Sequence, residues 1–468
     1  MKHFTLSPIY LMALMAILSC QKAPLPSPNI VIFYTDDQGT LDVNCFGSQD
    51  LYTPNLDKLA ATGVKFTQAY AHTVCCPSRA ALLTGRHPQR VNVNSWTQSN
   101  ANQKEDGRNM PLEEMTLAEI AKQKHYRTAL FGKWHVGGSL KYGPLEQGFD
   151  EFFGFRGGFI DNYNHHALHG KGFHDLWDRK EEVYLAGQYF QDMITEKALS
   201  FVEANQDQPF LLYLGFNIPH YPEQADEKFD EHYQNVPEPR KSYGKIVSTV
   251  DDRIGQIMSK LEALGLRENT LIFFVSDNGH SIEDYQISVD DHRSGYPKGH
   301  NYGANGGGGN TGKWIGAKNS FLEGGIRVPA IMSFPARFPL NTSRNQIVTV
   351  MDLLPTLCDV LKVPLPASGV DGQSLLPIVM EDKASSHYNV LHYQWQDRWM
   401  VREGEWKLLY KDTKGYFQIG PETPRMDSIH LGRLTDAEPE RKNYAAEKPE
   451  IVARLTQFHE TWAEEVMQ

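Results

Sequence analysis

Four short runs of β-branched and aromatic residues, each ending in a knot of polar side chains, constrain this chain more than any other feature. Residues 30–34 (IVIFY) run into Thr35-Asp36-Asp37, and residues 128–131 (TALF) into Gly132-Lys133-Trp134-His135. Residues 210–216 (FLLYLGF) lead to Asn217-Ile218-Pro219-His220, and residues 271–275 (LIFFV) to Ser276-Asp277-Asn278-Gly279. Runs that are apolar at nearly every position are strands buried on both faces. Between them lie stretches with helical periodicity, over residues 55–61, 117–123, 192–204 and 245–264. That alternation predicts an α/β fold: a large, mostly parallel central sheet sandwiched by helices. Open parallel sheets place their ligands at the carboxyl ends of the strands, so four strands here deliver carboxylates, an amide, a lysine and histidines to one rim.

The residue types on that rim narrow the chemistry. Asp36, Asp37, Asp277 and Asn278 offer only oxygen ligands, which suits a hard cation, Ca²⁺ or Mg²⁺, and not zinc. One aspartate after a strand is as readily the N-cap of the next helix, but two acidic pairs at two strand ends favour the cation. Lys133 and His135 flank Trp134, so an extended segment would point both to one side. Lys318 lies five residues before Glu323-Gly324-Gly325-Ile326-Arg327-Val328-Pro329, another turn-rich approach to a strand. Next to an oxygen-lined cation, these basic groups make a site for an anionic, tetrahedral group.

Beyond a polar stretch at residues 380–390 the pattern changes. Residues 390–393, 399–403 and 406–410 read as short antiparallel strands, and 450–467 as a closing amphipathic helix. The expectation is a catalytic domain over 29–385 with a smaller C-terminal α+β subdomain over 386–468 docked on it. The formal net charge of −11 leaves no lysine or arginine surplus to neutralise phosphates, which argues against a nucleic-acid partner. An anionic substrate therefore needs a local cationic pocket.

The chain begins MKHFTLSPIYLMALMAILSC, whose apolar stretch from Ile9 to Leu18 is too short to span a bilayer and fits a cleaved export signal over residues 1–19. The Ile-Leu-Ser-Cys end resembles a bacterial lipobox, in which Cys20 would carry the lipid; a plain signal peptide is the alternative. No later stretch approaches about 18 consecutive apolar residues. These features predict an exported bacterial protein, periplasmic or at the cell surface, that meets a membrane only through an anchor at Cys20. The remaining Cys45, Cys75, Cys76 and Cys358 are too few for a disulfide framework in a chain of 468 residues.

Cys75-x-Pro77-Ser78-Arg79, followed by Leu83-Thr84-Gly85-Arg86, resembles the signature of the type I, formylglycine-dependent sulfatases of the alkaline phosphatase superfamily. The resemblance extends through TDDQG, TPNLDKLAATGVKF, GKWHVG, EQGFDEFFG, SDNG, the Lys318…EGGIRVP block, MDLLPTL and REGEWKLLY, in the family's order. It implies that a formylglycine-generating maturation enzyme oxidises the cysteine that has proline two residues on and arginine four residues on. Only Cys75 meets that spacing; Cys76 falls at a variable position. It further implies that Asp36, Asp37, Asp277, Asn278 and an oxygen of residue 75 hold one cation, usually Ca²⁺. The hydrated aldehyde would attack sulfur and expel the alcohol. His135 would take a proton from the second hydroxyl and collapse the covalent sulfo-enzyme. Arg79, Lys133 and Lys318 would clamp the sulfate oxygens, with Lys318 or His220 protonating the leaving oxygen. Pro77 suits a first helical turn, which would set residue 75 at a helix N-terminus.

The implied activity is hydrolysis of sulfate monoesters on a sulfated carbohydrate or polysaccharide. Two other readings compete with it. A phosphate or phosphonate ester hydrolase would use the same scaffold, because cation and clamp suit any tetrahedral oxyanion. A non-catalytic lipoprotein binding sulfated glycans would have lost Cys75, Arg79, His135 or a metal carboxylate, and none is missing. Two tracts mimic other sites. Residues 307–313 (GGGNTGK) imitate a P-loop, yet Trp314 stands where Ser or Thr is needed and no strand precedes them. Residues 162–174 (NYNHHALHGKGFH) match no zinc spacing, and with 281–314 they read as loops, either facing substrate or inert.

Overall fold

The computed structural model describes residues 27–95, 108–301, 306–412 and 427–467, so the export signal and Cys20 lie outside the described residues. Strand β1 (Asn29–Asp36) runs through the middle of the molecule and is buried along its whole length. It is followed by α1 (Pro54–Ala61), β2 (Val64–Tyr70), α2 (Cys75–Thr84), α3 (Leu117–Lys122), β3 (Arg127–Lys133) and β4 (Glu151–Phe155). Next come the two-residue β5 (Trp177–Asp178) and β6 (Glu181–Glu182), then α4 (Phe190–Ala204), β7 (Phe210–Pro219), α5 (Arg240–Ala263) and β8 (Thr270–Ser276). After a long loop the chain forms the one-turn α6 (Glu323–Ile326), β9 (Arg327–Ser333), β10 (Thr342–Arg344), β11 (Val348–Thr349), α7 (Leu353–Leu361) and α8 (Leu376–Met380).

These strands make an eleven-stranded sheet in the order β10-β2-β9-β8-β1-β7-β3-β4-β5-β6, with β11 also on β2. From β8 to β4 the strands are parallel, while β9 runs antiparallel to both β8 and β2. The apolar run of β1 alternates between two cores. Ile30, Ile32 and Tyr34 join the layer of α2, α3 and α7; Val31 and Phe33 join the layer of α1, α4 and α5. Period-two alternation with both faces covered is why every position of that run is apolar. Register then decides the site. Tyr34 lies opposite both Gly215 and Val275, and Thr35 opposite Ser276, so β1, β7 and β8 end level and release their polar residues together.

The C-terminal part is a separate four-stranded antiparallel sheet, β12 (Val390–Trp395), β13 (Arg398–Glu403), β14 (Trp406–Tyr410) and β15 (Ile429–Arg433), closed by α9 (Pro449–Val466). One face packs Trp399, Val401, Leu408 and Leu431 on Ile451 and Leu455 of α9. The other packs Leu391, Tyr393, Trp395, Met400 and Leu409 on Tyr70, Val74, Phe321, Leu322 and Ile326 of the main body. Among the described residues, no helix is long and apolar enough to cross a membrane.

Candidate active site

Helix α2 opens directly at Cys75. Val74 is extended, Cys75 is the first helical residue, and Pro77 falls in the first turn, where a missing N–H forfeits no bond. The Cys75 side chain therefore stands at the helix's positive end, buried, with burial pushing the thiol up. Cys76 belongs to the core layer and its Sγ donates to the Ser95 carbonyl at 3.1 Å. The His72 N–H donates to Ser78 Oγ at 2.7 Å and fixes the turn into the helix. One turn on from Cys75, Arg79 is wholly enclosed: Nε and Nη2 donate to Asp277 Oδ2 at 3.1 and 2.8 Å, and Nη1 to the Lys133 carbonyl at 3.3 Å.

The two acidic pairs converge beside it. Asp37 adopts a left-handed backbone, φ 65°, which turns its N–H back onto Asp277 Oδ1 at 3.2 Å. Asn278 Nδ2 donates to Asp37 Oδ1 at 2.6 Å. Lys133 Nζ donates to Asp36 Oδ2 at 2.5 Å, and Lys318 Nζ to Asp37 Oδ2 at 2.9 Å and Glu283 Oε2 at 3.0 Å. His220 Nε2 lies 3.6 Å from Asp37 Oδ2, while its Nδ1 is 2.6 Å from the Tyr221 carbonyl. Ligand atoms of Asp36, Cys75 and Asp277 lie within 4.8 Å of one another, as do those of Asp36, Asp37 and His220.

Asp36 Oδ1 and Asn278 Oδ1 are buried with no hydrogen-bond partner. An orphaned buried acceptor costs about 1–3 kcal/mol, and a divalent cation would satisfy both. The donor set thus fits a hard metal ion. Burial, reinforced by the charge of Asp36, pushes Asp37 and Asp277 up to about 7. Burial also works against ionisation of Asp36, but Lys133, His220 and Arg79 outweigh it and hold that carboxyl below the usual range. The two lysines stay cationic: burial opposes their charge, and Asp36 for Lys133, Asp37 and Glu283 for Lys318, overcome it. His135 is driven well below its ordinary value by burial and then by Lys133 and Arg79.

All ten residues singled out in the sequence are buried at the carboxyl end of the sheet: Asp36, Asp37, Cys75, Arg79, Lys133, His135, His220, Asp277, Asn278 and Lys318. One detail differs from expectation. The segment through His135 is not extended, because β3 stops at Lys133 and His135 is left-handed at φ 59°. Its ring faces Gly158, where an added Cβ would meet Cε1 and Nε2 at 3.1 Å. Arg79, expected to hold sulfate, has its guanidinium on Asp277 and the end of β3. Glu283, which meets Lys318, was not foreseen; it lies in a polar tract without periodicity, where a single Glu carries no signal.

The loops themselves fall into place. Phe159 stacks on His220 at 5.0 Å, His169 lies 4.2 Å from Tyr285 ring to ring, and His169 Nε2 is 3.1 Å from Tyr221 Oη. The 162–174 and 281–301 tracts thus pack on each other through Leu168, Tyr221 and Ile287, beside His220. Two central glycines of the P-loop mimic serve packing. A Cβ at Gly308 would come within 2.4 Å of Tyr243 Cβ, and one at Gly309 within 2.1 Å of His280 Cβ.

Comparison with known proteins agrees with this geometry. The family model described as Sulfatase matches residues 28–363. N-acetylgalactosamine-6-sulfatase of Canis lupus familiaris is 31% identical over 411 residues, covering 83% of this chain and 73% of its own length. Arylsulfatase A of Homo sapiens is 30% identical over 407 residues, covering 81% and 73% respectively. Among solved structures, Ps i-CgsB in complex with k-i-k-neocarrahexaose is similar at a TM-score of 0.77, with 26% identity over 93% of each chain.

Proposed function

This chain belongs to the sulfatase family and is a sulfuric ester hydrolase, and on that footing we propose that its substrate is a sulfated carbohydrate and that Cys75, oxidised to formylglycine, is the source of its nucleophile. The observation that carries the reading is the meeting of Cys75 with Asp36 and Asp277, ligand atoms within 4.8 Å, at the N-terminus of α2. Both the relative named for N-acetylgalactosamine 6-sulfate and the neighbour solved with a neocarrahexaose support a carbohydrate.

Asp36, Asp37, Asp277 and Asn278 would hold the cation, Ca²⁺ by their all-oxygen set, and such an ion supplies positive charge that acidifies the hydrated aldehyde and draws the sulfate in. The formylglycine diol supplies one oxygen to attack sulfur and a second hydroxyl whose deprotonation releases sulfate. The chain's own side chains do the rest. Lys133 and Lys318, both cationic and on opposite carboxylates, bind sulfate oxygens. Arg79 acts through Asp277, fixing the carboxylate and the end of β3. His135, held neutral by burial, would accept the diol proton. The Nδ1 of His220 directs its proton at the Tyr221 carbonyl, which leaves Nε2 bare. Lys318 is then the group with a proton for the leaving oxygen, and His220 Nε2 would accept from the alcohol once that proton has arrived.

The same reading assigns residues 29–385 to catalysis and 386–468 to a docked subdomain, with export on residues 1–19 and a lipid anchor at Cys20. A formylglycine-generating enzyme is the partner it requires. Screening sulfated oligosaccharides for sulfate release, with matched aryl sulfate and aryl phosphate esters, tests the substrate class; faster phosphate turnover, or release from aryl sulfate alone, overturns it. Mass measurement of the Cys75 peptide should show a loss of about 18 Da against the thiol. Full activity with an unmodified Cys75 would sink the mechanism.

A further inference from the structure

Lys318 is followed by Asn319, a fully buried non-glycine residue in the left-handed region at φ 75°. Such a backbone costs on the order of 1–2 kcal/mol and persists only where its surroundings over-determine it. Three contacts do so here. The Asn319 N–H donates to the Thr73 carbonyl at 2.7 Å, two residues before Cys75. Arg398, the first residue of β13, donates from Nη1 to the Asn319 carbonyl at 2.9 Å and from Nη2 to Asn319 Oδ1 at 3.0 Å. Asp412, just past β14, accepts from Arg398 Nη1 at 3.2 Å and, on its other oxygen, from Ser320 Oγ at 2.9 Å and the Phe321 N–H at 2.7 Å.

We propose that Arg398 and Asp412 of the C-terminal sheet are positioning residues for Lys318: by gripping Asn319, Ser320 and Phe321 from behind, they aim the lysine ammonium at the leaving oxygen. This inference rests on the role given to Lys318 above. Neither residue faces the reacting atoms, so neither is catalytic. What separates the grip from ordinary docking is its target. The apolar face of the sheet already holds the two parts together through Trp395, Met400 and Leu409 against Phe321 and Ile326. The guanidinium fork falls instead on both oxygens of the single residue after Lys318, a planar bidentate geometry that lysine cannot reproduce. On its other side Lys318 is tied by its own N–H to the His280 carbonyl at 2.9 Å, three residues past Asp277. The ammonium is therefore referenced to the C-terminal sheet behind it and to the end of β8 beside it. Misplacing a reacting group by about 1 Å can cost ~10²-fold in rate.

The test is a leaving-group series of aryl sulfates, from nitrophenyl to phenyl, on the mature enzyme and three variants. Arg398→Lys keeps the charge and loses the fork. Asn319→Gly keeps the left-handed turn at no steric cost and deletes Oδ1. Lys318→Ala removes the proton donor. Poor leaving groups need the proton most, so kcat/KM should fall at least ~3-fold further for phenyl sulfate than for nitrophenyl sulfate in all three, on top of the uniform loss that Lys318→Ala adds by removing a sulfate contact. Adding Arg398→Lys to Lys318→Ala should steepen the dependence no further, because the two act as one unit. If Lys318→Ala steepens the series while Arg398→Lys and Asn319→Gly lower every ester equally or none, the grip is structural and the inference fails with the role of Lys318 intact. If Lys318→Ala leaves the slope unchanged, the role of Lys318 itself falls, and this inference with it.

Discussion

Cys76 points its sulfur at the Ser95 carbonyl, inside the layer that α2 shares with α3 and α7. Cys76→Ala should therefore keep kcat/KM on an aryl sulfate within about threefold while costing about 1–3 kcal/mol of stability for the lost buried contacts; Cys75→Ala should reduce sulfate release to background. Initial rates and thermal melts of the two variants check both. At the cation site, Asp36 Oδ1 and Asn278 Oδ1 are the acceptors without partners. Chelation should abolish activity and added Ca²⁺ restore it, and Ca²⁺ should raise the melting temperature by mass action. Asn278→Ala should blunt that rise, which thermal melts at graded Ca²⁺ would read without relying on turnover. The four candidate ligands were legible because each stands within three residues of a run that is apolar throughout. Glu283 and the left-handed His135 were not. The first lies in a loop brought home only by packing, and the second depends on a backbone angle that a run such as GKWH does not encode.

Element boundaries follow the same logic. The strand cores at 30–34, 128–131, 210–216 and 271–275 were readable, and each proved longer by one or more residues where flanking polar groups continue the ladder. Helix α5 begins at Arg240, five residues before its expected start, because its first turn (RKSYG) is polar and contains Gly244. The reversed direction of β9 left no trace, since a strand buried on both faces reads alike either way along the sheet. Strand β15 went unseen because IHLGR is short and carries a glycine. Helix α1 shows how tertiary context supplies what local sequence lacks. Its N-cap Thr53 makes no side-chain cap bond. Asp251 of α5 does the capping instead, accepting from the Leu56 N–H at 2.7 Å, the Asn55 N–H at 3.1 Å and Asn55 Nδ2 at 2.8 Å. Asp251→Ala would strand buried donors and should lower stability by about 2–3 kcal/mol, with sulfatase kcat little changed; denaturant titration beside kinetics tests it.

Over the whole molecule, the C-terminal sheet is joined to the main body by charge as well as by apolar area. Lys407 is enclosed between Glu323 at 2.9 Å and Glu440 at 2.9 Å, and no pattern in REGEWKLLY announces a buried lysine. Helix α9 adds a second seam built on neutral histidines. Trp462 Nε1 donates to His87 Nε2 at 3.2 Å, so that nitrogen must be bare. His392 stacks on Trp462 at 5.4 Å, and His459 on Trp399 at 4.0 Å. Burial lowers His87 and His459 to about 4 and His392 to about 3; for His87 the pull of Asp371 in the other direction is opposed by Arg90. In the unfolded chain each returns to about 6.5. Because the folded values are depressed, the unfolded state binds more protons at these sites between about pH 4 and 6.5, and their contribution to stability falls as pH drops through that window. Each histidine adds at most about 1.4 kcal/mol per pH unit there, less where it is partly exposed. The seam's contribution to the melting temperature should hold above pH 7 and be lost towards pH 5, against the opposite trend from Asp37 and Asp277, whose carboxyls are raised to about 7. His392→Phe keeps the stack on Trp462 and removes one proton site, so it should match the parent near pH 7.5 and melt higher than the parent at pH 5. Parallel melting curves for parent and variant across the pH range would refute the histidine seam.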